Sequence, residues 1–376
     1  MRLSSVVKLI YHLNSLYNPG GMERVTLNKA AWWAARGHEV VIVTTDQKGR
    51  PSFFPVPEGV RTVDLGINYH DAAGLGLLRQ TLAFPGKRRL HRRRLEELLL
   101  RERADIVVSL YPGESSFIPS IKDGSKKVLE LHQGRFFHRQ YGNRGLRGVI
   151  DRLRERADSI MVRRFDRFVV LTREDLADWG RVPNIISIPN AATMTGAASD
   201  CSAHRVIAVG RLDFQKGFDR LIEAWEPLGD WTLEIFGQGE WKERLETMIA
   251  ARGLGDSVHI NAPSRDIRSE YAGSSVLVMT SNYEGFPMAL VEGLSCGLPA
   301  VCYDFKCGPK DMIENGVNGF IVHNGDAEGL RRALRTLMED DALRVRMGRE
   351  AAGTAERYSE EKVMAEWENC FRSILS

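Results

Sequence analysis

Two carboxylates and two cations recur in this chain at spacings that suit a phosphorylated ligand. Glu284 falls on the turn Glu284-Gly285-Phe286-Pro287, and Glu292 lies on the helix that the sequence predicts over Met288–Ser295. A helix N-terminus offers free backbone N–H groups and favours an anion. A ligand at that mouth would meet the carboxylate of Glu284, the amides of Gly285 and Phe286 beside Pro287, and the second carboxylate, Glu292, deeper in. Carboxylates accept from sugar hydroxyls, and amides donate to phosphate. Upstream, Gly210-Arg211-Leu212 and Lys216-Gly217 bracket a strand–loop–helix junction, and two cations beside a helix N-terminus can clamp a diphosphate. The glutamates and the cations also fit a plainer reading, as surface charges on ordinary βα units.

A second set lies in the N-terminal half. Gly20-Gly21 follows an apolar run and leads into Met22-Glu23-Arg24-Val25, so the backbone there can approach a ligand closely. The spacing is not G-x-G-x-x-G, and a dinucleotide fingerprint is absent at this junction. His132 ends the run Val128–His132. Ligands of open α/β sheets bind beyond the carboxyl ends of strands, where a histidine either hydrogen-bonds a substrate hydroxyl or serves as a plain structural residue. Gly237-Gln238-Gly239 is a weak signal that also fits a tight turn, and Arg265 in Ala262-Pro263-Ser264-Arg265 could wall a nucleobase.

Positioning these residues requires alternating strands and helices. Short apolar runs at Val6–Leu13, Glu39–Thr45, Thr62–Leu65, Ile106–Leu110, Val128–His132, Phe168–Leu171 and Ile185–Ile188 read as strands. Helices are expected from Met22 to Arg36, ended by Gly37, and over the basic stretch Pro85–Arg103. After a small-residue stretch from Ala191 to Ala203, the rhythm restarts with strands at Arg205–Val209, Leu233–Phe236, Val258–Asn261, Val276–Met279 and Ala300–Tyr303. The pattern predicts parallel sheets of the α/β class in two similar halves, closed by amphipathic helices from Ala327.

A chain of 376 residues, 43% hydrophobic and 27% charged, is long enough for two cored domains. No apolar run approaches bilayer length, and the N-terminus reads as a strand rather than a signal peptide. Five cysteines without metal-ligand spacing fit a reduced cytoplasmic compartment. The net charge of +3 conceals a split. Residues 1–190 hold 32 Lys+Arg against 20 Asp+Glu, and residues 191–376 hold 20 against 29. The basic residues cluster over Lys87–Arg94 and Arg135–Arg156, with Leu75, Leu77, Leu78, Leu82, Phe84 and Leu90 near the first cluster. A solvated helix face explains such runs, and so does an anionic membrane surface, which is the partner expected here. No nucleic-acid-binding module is recognisable, so nucleic acid is not expected.

Taken together, these motifs resemble the retaining glycosyltransferases of family 4, which have the GT-B fold. Glu284…Glu292 is similar to that family's E-x7-E signature, Gly210-Arg211-Leu212…Lys216-Gly217 to its G-R-L-x-x-x-K-G segment, and Gly20-Gly21-Met22-Glu23-Arg24 to its G-G-x-E-R loop. The likeness covers most of the chain and is densest from Val206 to Val322. It implies two Rossmann-like domains facing a cleft. Residues 1–189 would bind the acceptor, 190–204 would link, and 205–360 would bind the nucleotide-sugar, with a helix at about 361–376 packing back on the first domain. Arg211 and Lys216 would then hold the donor diphosphate, Glu292 the ribose, Glu284 the sugar with the amides around Phe286, and His132 the transferred sugar. Gly21 would let its loop approach the phosphate.

The resemblance implies retention of anomeric configuration, here by front-face attack because no carboxylate nucleophile is identifiable. The chain has no D-x-D, so no metal and no other cofactor is expected. The segment Tyr303–Ile313 is similar to the C-x-x-G-P region of bacterial transferases that build surface polysaccharides and lipid-linked oligosaccharides, although Cys307 directly precedes Gly308. A UDP-hexose or UDP-N-acetylhexosamine donor and a glycan or polyprenyl-diphosphate-linked acceptor at the inner membrane face are the first expectation. GDP-mannose is the second. A non-hydrolysing UDP-sugar 2-epimerase is the rival of a different class.

Overall fold

The computed structural model describes residues 6–69, 77–110, 113–137, 146–192 and 198–376, without the side chains of 77–83 and 146–147. The chain divides into two compact units. The first comprises residues 1–171, 176–188 and 364–376, and the second comprises 172–175 and 189–363.

The first unit is a seven-stranded parallel sheet. In chain order it is built from β1 (Lys8–Leu13), α1 (Gly21–Ala34), β2 (Glu39–Thr44), β3 (Val60–Asp64), α2 (Leu77–Glu102), β4 (Ile106–Leu110), β5 (Lys126–Glu130), α3 (Leu146–Met161), β6 (Arg167–Val170), α4 (Arg173–Trp179) and β7 (Ile185–Ser187). The strand order is β3-β2-β1-β4-β5-β6-β7. The order reverses between β1 and β4, whose register pairs Leu9 with Ile106 and His12 with Ser109. Strands β1, β2 and β4 are apolar on both faces because helices cover both. Ile10, Val41, Val107, Leu129 and Phe168 pack with Leu95, Leu98 and Leu99 of α2 in one core. Each such fully buried side chain contributes about 1.5–3 kcal/mol.

The second unit holds β8 (Arg205–Val209), α5 (Phe218–Ala224), β9 (Thr232–Phe236), α6 (Lys242–Ala251), β10 (Val258–Asn261), α7 (Ile267–Ala272), β11 (Val276–Met279), α8 (Met288–Ser295), β12 (Ala300–Tyr303), β13 (Gly319–Val322), α9 (Ala327–Glu339) and α10 (Asp341–Ala355). Its six strands run parallel in the order β10-β9-β8-β11-β12-β13, reversing between β8 and β11. Helix α11 (Glu360–Leu375) closes the chain. Its residues from Met364 belong to the first unit, where Phe371 stacks on Trp33 with ring centroids 5.3 Å apart.

Most predicted elements form, and β11, α8 and β12 have the expected bounds. Two readings are corrected. Helix α2 begins at Leu77 rather than Pro85 and carries the proline inside it. His91, counted among the basic residues of that helix, is fully buried, whereas Arg89, Arg92 and Arg93 are exposed. The stretch expected as a linker is packed where it is described. The Ser199 N–H donates to Cys296 O at 2.7 Å, and Cys201 is buried. The five cysteines are free and buried. Leu75 and part of the Arg135–Arg156 cluster lie outside the described residues. Among the described residues, no helix is long and apolar enough to cross a membrane.

Candidate active site

In the second unit the predicted residues gather where the strand order reverses, the place where open α/β sheets bind ligands. The loop after β8 carries Arg211 and Lys216, and the loop after β11 carries Glu284. Backbone ties hold the loops together. The Asn282 N–H donates to Gln215 O at 2.7 Å, and Thr280 Oγ1 donates to Gly217 O at 2.9 Å. Two glycines bring the neighbouring backbone in. A Cβ on Gly210 would press on the Lys216 stem at 2.9 Å, and one on Gly237 would collide with the Gly210 carbonyl oxygen. Gly237, expected among donor-binding residues, thus has a packing role in this unit.

Glu284 is the centre of the cluster and is only 5% exposed. Its Oε1 pairs with Lys216 Nζ at 2.6 Å and accepts from Ser281 Oγ at 2.7 Å. Its Oε2 accepts from Gln215 Nε2 at 3.1 Å. Gln215 in turn accepts from Arg211 Nη2 at 2.7 Å, and Arg211 also lies 3.2 Å from Asp213. Arg211 keeps 68% of its side chain exposed, so its charge faces solvent, whereas Lys216 is mostly covered. The two predicted cations and Glu284 therefore form one connected chain. A charge-assisted network of this kind is stronger than neutral hydrogen bonds and costly to break at one member.

Glu292 lies apart from that chain, buried on α8, with its Oε2 accepting from Tyr271 OH at 3.3 Å. Pro287 stands at the N-cap position of α8, whose first turn begins at Met288. Its carbonyl accepts from the Leu290 N–H at 2.9 Å, so the turn Glu284–Pro287 leads directly into the helix. Phe286 is buried, and Arg265 is exposed on the loop before α7. The sequence reading missed Gln215, Ser281 and Tyr271. Only Ser281 left a trace, because Ser281-x-x-Glu284 has the spacing of a local side-chain pair.

The first unit presents its own group. His132 follows β5 by two residues, with Nε2 3.1 Å from Glu130 Oε1. Glu130 ends β5 fully buried and also pairs with Lys29 of α1. Lys29 Nζ lies 4.3 Å from the ring centroid of Trp367 on α11. Burial opposes both charges. It lowers Lys29 below its ordinary range, but Lys29 and His132 together hold the Glu130 carboxyl down at about 2. Gly20 precedes α1 and Gly21 begins it, with open space around its Cα. Burial at this helix start pushes the Glu23 carboxyl up, and the charge of His132 works against that rise. Glu23 and His132 are thus electrostatic neighbours. The Lys29–Glu130 pair beside His132 was not read from the sequence.

Comparison with known proteins agrees with these two halves. Residues 20–191 match the family described as "Glycosyl transferase 4-like domain", and residues 200–354 match "Glycosyl transferases group 1". An uncharacterized glycosyltransferase of Haemophilus influenzae is 26% identical over 371 residues, covering 96% of this chain and 98% of that protein. The amylovoran biosynthesis glycosyltransferase AmsD of Erwinia amylovora is 36% identical over 166 residues, where the match covers 44% of this chain and 47% of AmsD. Among solved structures, a mutant of TarM from S. aureus in complex with Fondaparinux, alpha-GlcNAc-glycerol and UDP superposes with a TM-score of 0.78 at 17% identity, covering 97% of this chain and all of that one.

Proposed function

The chain belongs to the GT-B glycosyltransferases of the family 4 type, and on that footing we propose that it moves a hexose or N-acetylhexosamine, with retention, from a UDP-sugar to a lipid-linked or polysaccharide acceptor of a bacterial surface glycan. The observation that carries this reading is the Lys216–Glu284 pair at the reversal point of the second sheet, wired through Gln215 to the exposed Arg211. Cleaving a nucleoside diphosphate from a sugar develops negative charge on the leaving oxygen, and preorganised cations stabilise it. When a donor binds, Lys216 would turn from Glu284 to the diphosphate beside Arg211. That exchange frees Glu284 to accept from sugar hydroxyls, and Glu292 would take the ribose hydroxyls. His132, beside Glu130, would donate to the transferred sugar. No metal enters the proposed transfer step.

The relatives' names support a surface-glycan acceptor, and the UDP in the TarM complex supports the nucleotide. A membrane-facing role for the first unit is supported by α3, which exposes Val149, Ile150, Leu153 and Ile160 beside Arg152, Arg154 and Arg156. The test is incubation with a panel of UDP- and GDP-sugars and a polyprenyl-diphosphate-linked acceptor, following nucleotide release and product mass. The proposal expects acceptor-dependent UDP release and a product heavier by one hexose or N-acetylhexosamine. Turnover of GDP-mannose alone, or interconversion of UDP-sugars without acceptor, would overturn it.

A further inference from the structure

The first unit encloses a histidine–histidine–glutamate cluster that the glycosyl-transfer reading does not use. His12 is the penultimate residue of β1, His91 lies in the middle of α2, and Glu114 lies in the loop after β4. All three are at most 1% exposed. One side-chain nitrogen or oxygen from each lies within 4.8 Å of the other two. Residues brought from three separate elements into one buried cluster require an energetic reason, because burying polar groups is costly unless each finds a partner.

The two rings are held in a particular way. His91 Nδ1 is hydrogen-bonded to Tyr69 OH at 3.1 Å, and His12 Nδ1 lies 2.8 Å from Glu114 Oε2 but out of line for a hydrogen bond, so it is left without a hydrogen-bond partner. Those contacts leave the two Nε2 atoms facing each other at 3.1 Å. Metal-binding histidines are held in the manner of His91, with the outer nitrogen on a hydroxyl or carboxylate and the inner lone pair on the ion. Two nitrogens bonded at 2.0–2.1 Å to one tetrahedral zinc ion stand about 3.3 Å apart, close to the spacing seen. Two further oxygens of the pocket are buried without a hydrogen-bond partner: Glu114 Oε1, and Ser109 Oγ, on the residue paired with His12 across β1 and β4. Two imidazole nitrogens and oxygen donors are a ligand set suited to zinc.

We propose that His12, His91 and Glu114 form a structural site for a divalent cation of the zinc class, tying α2 to the β1–β4 reversal point of the first sheet. The alternative is a single proton shared between the rings, with His12 paired to Glu114. A cation and a proton are distinguishable with tag-free, full-length protein. After dialysis against a chelator, one equivalent of Zn2+ should rebind and raise Tm by several degrees at saturating metal. Co2+ should give the visible absorption of a four-coordinate ion. His91→Gln and Glu114→Gln should each abolish the absorption and the Tm shift. If His91→Gln fails to fold, the Co2+ spectrum of the natural protein still decides. No stoichiometric metal, a six-coordinate Co2+ spectrum, or a Tm shift that survives both substitutions would overturn the site.

Discussion

Lys216 and Glu284 neutralise each other inside the second unit, and both are withdrawn from solvent. Lys216→Ala would strand Glu284 as a covered carboxylate and would also remove a charge from the proposed diphosphate site. The expected outcome is a fall in kcat of about 10²–10³-fold, the range seen when one preorganised stabilising group is lost. Lys216→Arg should recover part of it, and steady-state kinetics with the best donor checks both. Glu130 makes a parallel case in the first unit. Its folded-state pKa is depressed, so the stability it contributes is present above the unfolded carboxyl value of about 4.3 and is lost as pH falls toward about 2. Glu130→Gln leaves Lys29 buried without its partner and should destabilise the unit by about 3–5 kcal/mol in denaturant unfolding near neutral pH. Glu23 has the opposite sign. Its raised pKa means that its contribution is present below the unfolded value and lost as pH rises through the folded one. Glu23→Gln should therefore raise Tm more at pH 8 than at pH 4, which a pH series of thermal melts would register.

At the scale of elements, legibility followed sequence distance. The β11–turn–α8–β12 unit was readable because its strand, proline turn, helix and stop signals are contiguous, and Glu284 and Glu292 sit within it. The Lys29–Glu130 pair spans 101 positions and the His12–His91 contact spans 79. Parallel pairing brings such residues together only through long crossovers, so no local pattern announces them. Helix α2 was misjudged for a related reason: a proline usually marks a first turn, and here the helix runs through Pro85. Gly237, expected among the donor-binding residues, is required by backbone packing against Gly210. Gly237→Ala would drive a methyl group into the Gly210 carbonyl, and a cost of about 1–3 kcal/mol is expected. Chemical unfolding of this variant, beside an unchanged first-unit tryptophan signal from Trp33, would check that the damage is confined to the second unit.

For the whole molecule, two α/β halves are legible in the alternating apolar runs, and the charge split of +12 against −9 marks the halves as chemically different. Exposed Arg89, Arg92 and Arg93 on α2 and the apolar face of α3 carry that difference on the first unit. Replacing Leu153 and the three arginines by Glu should release the protein from phosphatidylglycerol vesicles in a sedimentation assay while leaving UDP binding intact. Unchanged sedimentation would remove the membrane from the account. The proposed function requires the second unit to hold a nucleoside diphosphate between Arg211, Lys216 and Glu292. Calorimetric titration with UDP tests it most directly, comparing the natural chain with Lys216→Ala and Glu292→Gln. One UDP per chain is expected, with at least a tenfold weaker Kd in each variant, about 1.4 kcal/mol. UDP binding of equal strength in all three proteins would contradict it.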